Sequence, residues 1–250
     1  MTVPPEQTVP PKQTVPPKQT QPEPTVPPEG GRDDYSGPFD PDFRYEDLSR
    51  DALVRLVREF ALIAHLLDRS IFTAVGMKYG QEAVEELAIA EWMGASPIYT
   101  ARIRKAFGIE GDDVAAIFKS LQLDPGFVHQ YMDVRYEVVD EKHGYFELAH
   151  CGALMDVEPF GEGPVVGMCH HIEDPTFDAT VSAINPKARC RPVHRPPRSR
   201  ADQLPHCRWE VVIDDDVEPL AEPKITRMVR GTTAATHEWQ PVGAPRPYHP

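Results

Sequence analysis

The sequence is short of positive charge, of long apolar runs and of closely spaced cysteines, and each shortage narrows what the chain can do. Its 26 Lys and Arg stand against 39 Asp and Glu, a net charge of −13. A nucleic-acid binder needs a basic footprint that displaces counterions, so no nucleic-acid partner is expected. No apolar run approaches the roughly 18 residues that cross a bilayer, so no membrane partner is expected. The opening residues MTVPPEQTVPP lack a basic-then-apolar pattern, which makes the cytoplasm the expected compartment. The four cysteines, Cys151, Cys169, Cys190 and Cys207, form no CxxC pair, which excludes a zinc finger or ribbon.

Proline is abundant instead, 28 residues in 250. Residues 2–30 repeat TVPPEQ, TVPPKQ, TVPPKQ, a degenerate TQPEP and TVPPEG. Adjacent prolines fix φ and remove amide donors, so polyproline II is the regular state open to this tail. It reads as a solvated spacer or as a ligand for a Pro-binding module. Residues 1–47 are therefore expected to be a disordered tail and lead-in, with Phe39, Phe43 and Tyr45 stapling the lead-in to a domain that begins near Leu48.

From Ser49, a plausible N-cap, Leu53, Leu56, Val57, Phe60, Ala64, Leu67 and Ile71 recur at helical spacing and predict one long helix burying that face. His65, within it, reads as a satisfied or surface histidine. Further helices are expected over residues 81–93, from Ser96-Pro97 to Phe107, and over residues 112–123, making a helical subdomain of residues 48–131 with Trp92, Tyr99 and Phe107 in its core. After Met132 the period becomes two. A hairpin turning at 140–144, a helix capped by Asp174, an edge strand at 189–194 that tolerates Pro192 and a last strand at 207–213 form the subdomain of residues 132–213. Residues 214–250 read as an acidic, mobile end, disordered from 231. The fold class is α+β: a helical half packed on a small antiparallel sheet with one further helix.

Chemistry-bearing residues gather in the sheet half. Cys151 ends a strand, Cys169-His170-His171 precedes the expected helix start, and His206-Cys207 opens the last strand. Cys151, Cys169, His170 and Cys207 are a candidate zinc set. Cys169 is alternatively a nucleophile, its pKa lowered by the imidazoles and a helix N-terminus, with His171 and Glu173 moving protons. A third account makes the cysteines small core residues. Lys187 to Arg208 holds seven basic residues and one acid, Asp202, a local reversal of sign. In it, HRPPR presents Arg195 and Arg198, with His194 beside them, as forks for a small anionic molecule.

The arrangement resembles the bacterial L-2-amino-thiazoline-4-carboxylate hydrolase-like proteins and their uncharacterised relatives. The resemblance rests on the turn Tyr79-Gly80-Gln81-Glu82-Ala83, the strand FELAHC ending at Cys151, Cys169, and Cys207-Arg208-Trp209. It implies hydrolytic opening of a small cyclic amidine-like acid. The expected function is thus a hydrolase acting on a carboxylate-bearing amide, amidine or thiazoline-like substrate. The alternative is a non-catalytic small-ligand or sensor module whose Cys/His cluster is structural.

Overall fold

The computed structural model describes residues 30–245, so the repeat tail and its Pro-binding reading lie outside the described residues. The chain divides into two compact units, one ending at Leu53 and the other beginning at Val54. In the first, Arg32 forms a parallel bridge with Leu48 and an ion pair with Asp40 at 2.5 Å. Tyr35 packs on Phe43 at a tilt of 33°, with ring centroids 4.7 Å apart. Phe39 and Tyr45 are exposed, and Tyr45 meets the Phe43 ring edge-on at 6.4 Å. Ser49 Oγ accepts the Ala52 N–H at 3.2 Å, the N-cap expected of it.

In the second unit α1 (Arg50–Tyr79) continues to its end and is followed at once by α2 (Gln81–Phe107), α3 (Val114–Leu121), β1 (Met132–Val138) and β2 (His143–Cys151). Then come α4 (Gly152–Val157), α5 (Glu162–Val166), a π-helical segment over Gly167–Ile172, α6 (Glu173–Ser182), β3 (Ala188–His194), β4 (Cys207–Ile213), α7 (Lys224–Arg230) and α8 (Thr233–Thr236). The antiparallel sheet has the order β1-β2-β4-β3. Pro192 therefore lies on an edge strand, as its missing donor requires. The fold class is α+β, as the patterning indicates.

Alternation sets the two faces of the sheet. Phe146, Leu148, Trp209 and Val211 point inward with Cys190, and all are buried. The outer face carries a polar ladder in which Arg208 bonds Glu137 at 2.7 Å and Glu147 at 3.1 Å, while His143 bonds Glu210 at 2.8 Å. On the inner side α6 packs between α2 and β3. Thr180 Oγ1 reaches Ser96 Oγ on α2 at 2.9 Å.

Three helical expectations are corrected. Pro97 does not separate two helices but sits inside α2. A mid-helix proline deprives the carbonyl four residues earlier of its N–H partner. Here that carbonyl, on Met93, accepts the hydroxyl of the fully buried Thr226 on α7 at 2.6 Å. Gly94 gives α7 its close approach, since a Cβ there would lie 3.1 Å from Ile225. The end of the chain is consequently not mobile throughout: α7 docks on α2, and α8 follows it. The helix expected over residues 112–123 starts at Val114, where Asp113 caps it by accepting the Ala116 N–H at 2.7 Å. Phe107 is exposed rather than core, because α2 ends there at Gly108, whose φ of 62° closes the helix in the left-handed region.

The largest departure concerns α1. Of the stripe expected to be buried, Val57, Phe60, Leu67 and Ile71 are exposed, while Leu53, Leu56 and Ala64 are half-buried. The opposite stripe, with Leu62, His65, Asp68 and Phe72, is the one turned inward. By length and composition α1 can also cross a membrane, with an 18-residue window of mean hydropathy 1.4, so the expectation of no such run is corrected.

Candidate functional site

A cavity of about 470 Å³ lies inside the second unit. Alpha1 contributes His65, Asp68, Arg69 and Phe72 to it; α2 contributes Ala88, Trp92 and Tyr99. The floor is Phe127, Met132 and Leu148, and the far wall is Glu173, Thr176 and Phe177 of α6 with Cys151 and Cys207. Most of these side chains are apolar. Four carboxyls stand among them, Asp68, Asp124, Asp156 and Glu173.

Asp68 is buried, and burial, then the adjacent Glu91, pushes its carboxyl up to about 7. Glu91 is raised as well, by burial, and the two share a hydrogen bond. Asp124 accepts the Tyr99 hydroxyl at 3.0 Å and the Gly126 N–H at 2.7 Å, yet burial still lifts it to about 6. Glu173 is lifted by burial to about 8, with Arg195 opposing the rise, and its Oε2 has no hydrogen-bond partner among the described residues. His65 is 5% exposed, and its Nε2 likewise has no such partner. Burial, then Arg69, lowers its pKa and keeps the ring neutral. This corrects the reading of His65 as satisfied or at the surface. Arg69 is bound to Asp156 at 2.8 Å, and Tyr131 donates to the same carboxylate at 2.5 Å.

Three sequence candidates meet at this cavity: Cys151, Cys207 and Glu173. Cys151 ends β2 and caps α4, its Sγ accepting the Leu154 N–H at 3.3 Å. Its own N–H donates to Nδ1 of His206 at 3.0 Å. Gly152 is required beside it, because a Cβ there would fall 2.3 Å from the Tyr131 ring. Burial pushes the Cys151 thiol up to about 12 and raises those of Cys169 and Cys207, with Glu173 adding to each rise.

The other candidates point elsewhere. Cys169 is 3% exposed and is not among the cavity-lining residues. It lies inside the π-helical segment that runs directly into α6, so no free helix terminus faces its thiol, and Asp174 is not a cap. Neighbouring residues of a helix point in different directions. Accordingly His170 Nε2 donates to the Pro196 carbonyl at 2.6 Å, and His171 turns out to Glu85 at 2.7 Å. His194 Nε2 donates to the Pro205 carbonyl at 3.2 Å. Arg195 is ion-paired with Asp174 and lies 5.8 Å over the Trp209 ring. Arg198 holds Glu158 at 2.8 Å with its side chain 7% exposed. Among the described residues no group of three or more His, Cys, Asp or Glu is arranged to hold a metal ion. Of the expected set, Cys151 and Cys207 line the cavity, Cys169 does not, and His170 is bonded to the Pro196 carbonyl.

Sequence reasoning passed over Asp68 and Asp124, and read Tyr99 as core only. The signals were an acid breaking the apolar run LLDRSIF and an Asp directly before Pro125-Gly126. No family model, no curated protein and no solved structure matches this chain.

The four buried, free thiols carry a prediction. The thiolate is the reactive form, and burial beside Glu173 disfavours it. Iodoacetamide at neutral pH is expected to leave all four unmodified in the folded protein and to label all four in urea, read by mass spectrometry. Rapid labelling of Cys169 in the folded chain would restore the nucleophile account.

Proposed function

We propose that the protein is a non-catalytic module that binds a small, largely apolar molecule in the cavity under α1 and α2. The cavity itself carries this reading. Its volume of about 470 Å³ falls in the range of ligand pockets, and its walls are apolar side chains with a few converging polar groups. The raised thiols, the outward or backbone-bound histidines and the ion-paired arginines support binding over nucleophilic catalysis. Free cysteines fit a reducing compartment, so the proposal places the protein in the cytoplasm.

A neutral fluorescent probe, N-phenyl-1-naphthylamine, tests it. Saturable binding in the micromolar range is expected. Thr73 lines the cavity yet is exposed, so Thr73→Trp should fill the mouth and weaken binding about tenfold or more. No saturable binding, or binding unchanged by Thr73→Trp, defeats the reading.

One observation favours a second reading, a hydrolase acting on the C–N bond of a carboxylate-bearing amide, amidine or thiazoline-like substrate. The Glu173 carboxyl stands at the cavity wall with an unpartnered oxygen and a pKa suited to moving a proton near neutral pH. Turnover of such a substrate that is lost in Glu173→Gln would support it.

A further inference from the structure

Resting on that binding reading, we propose that the ligand carries a basic nitrogen, as an ammonium or amidinium, seated against His65 and Asp68 on the α1 wall of the cavity. These two residues are three apart on one helix, so they share a face. Both line the cavity, and both are buried. Two further carboxyls of the cavity are already engaged. Asp156 takes Arg69 and Tyr131, and Asp124 takes Tyr99 and the Gly126 amide. His65 Nε2 is without a partner among the described residues, while the backbone of Pro125 and Gly126 lies beside the ring.

The charge inventory selects a cation. The cavity is lined by Asp68, Asp124, Asp156 and Glu173, and its one guanidinium, Arg69, is spent on Asp156. A neutral imidazole and a carboxylate both accept hydrogen bonds, so the complementary group is rich in N–H donors. An anion would instead be buried among acids with no free cation to meet it.

Asp68 is faced by Glu91 and Tyr99 from α2 and by Arg69 from α1; His65 is faced by Arg69 and Asp156. The Asp68–Glu91 pair shares a hydrogen bond and so holds a proton between two carboxyls. A ligand that arrives already protonated replaces that proton at the pair, and the displaced proton goes to solvent. With Asp68 near 7, amine affinity should rise about tenfold between pH 6 and pH 8, because below that value the proton must first be removed.

The test uses three probes with one apolar body: 4-phenylbutylamine, 4-phenylbutanol and 4-phenylbutyrate. Calorimetry at pH 7, in two buffers of different ionisation enthalpy, gives affinity and protons released. The amine should bind at least tenfold more tightly than the alcohol, since hydrogen bonds to charged groups are the stronger kind, and should release protons. Asp68→Asn should bring the amine-to-alcohol ratio close to one. If the alcohol binds as tightly as the amine, the inference fails while the cavity reading stands. If 4-phenylbutyrate binds best, the inference is overturned in favour of an anion. If no probe binds, both fall. Should Asp68→Asn not fold, the wild-type pH series decides, and an amine affinity flat from pH 6 to pH 8 overturns the proposal.

Discussion

Trp209→Ala is expected to lower the unfolding free energy by about 3–5 kcal/mol, a large part of the roughly 5–15 kcal/mol that a domain possesses. Trp209 is fully buried on the inner face of β4. Its ring stacks on Phe146, centroids 6.4 Å apart and planes 8° from parallel, and meets Phe177 edge-on at 4.8 Å. Truncation would leave a void between the sheet and α6 that neither element can close, because the cross-strand pairing of β4 with β2 and β3 holds the backbone in place. Urea unfolding followed by circular dichroism measures the loss. A change below about 1 kcal/mol would mean that the sheet and α6 collapse freely onto one another, contrary to the packing described.

Stability is also expected to fall as pH rises from about 6.5 to about 8. Buried Asp68, Asp124 and Glu173 have folded-state values of about 7, about 6 and about 8, above the 3.8, 3.8 and 4.5 of free carboxyls. Between its unfolded and folded values each group holds more proton in the folded chain. Rising pH therefore draws the equilibrium toward the unfolded state, by about 1.4 kcal/mol per pH unit per group. Asp124, moving from 3.8 to about 6, accounts for roughly 3 kcal/mol, most of it lost by pH 6. Asp68 and Glu173 continue the decline above that. His65 and His206 act oppositely: their folded values lie below 6.5, so they reduce stability only as pH falls under 6.5. Above that pH they contribute no slope, and the carboxyls decide. Below about pH 4 the lowered Asp156 and Glu158 lose their partners in turn. Urea midpoints from pH 6.5 to pH 8 measure the trend, and Asp68→Asn with Glu173→Gln should flatten it. A stability that is level or rising in the wild type over that range is the contrary result.

Both predictions rest on burial, which is the quantity the sequence discloses least directly. Period-two alternation made the strands at residues 145–150 and 207–213 readable; which residues of them turn inward, Phe146, Leu148, Trp209 and Val211, is what the structure adds. For α1 the same kind of evidence misled. Helical spacing showed which residues share a stripe, but the more apolar stripe is the exposed one, and the stripe bearing His65 and Asp68 faces the cavity. Periodicity reports which residues stand together; the direction they face depends on what packs against the helix.

What the sequence by itself determined is local: the Ser49 cap, the β1–β2 hairpin, the edge position that Pro192 demands, and an α+β order of elements. These follow from φ restrictions, donor counts and side-chain alternation, all properties of a few adjacent residues. Tertiary structure alone decided the rest. Met93 finds its missing donor on Thr226, 133 positions away, which lets α2 run through Pro97 and pins α7. Arg195 and Arg198 meet Asp174 and Glu158, which turns a basic loop into ion pairs. Asp68, Asp124 and Glu173 come from three distant segments to line one cavity, and only removal from water there makes their carboxyls unlike those on the surface.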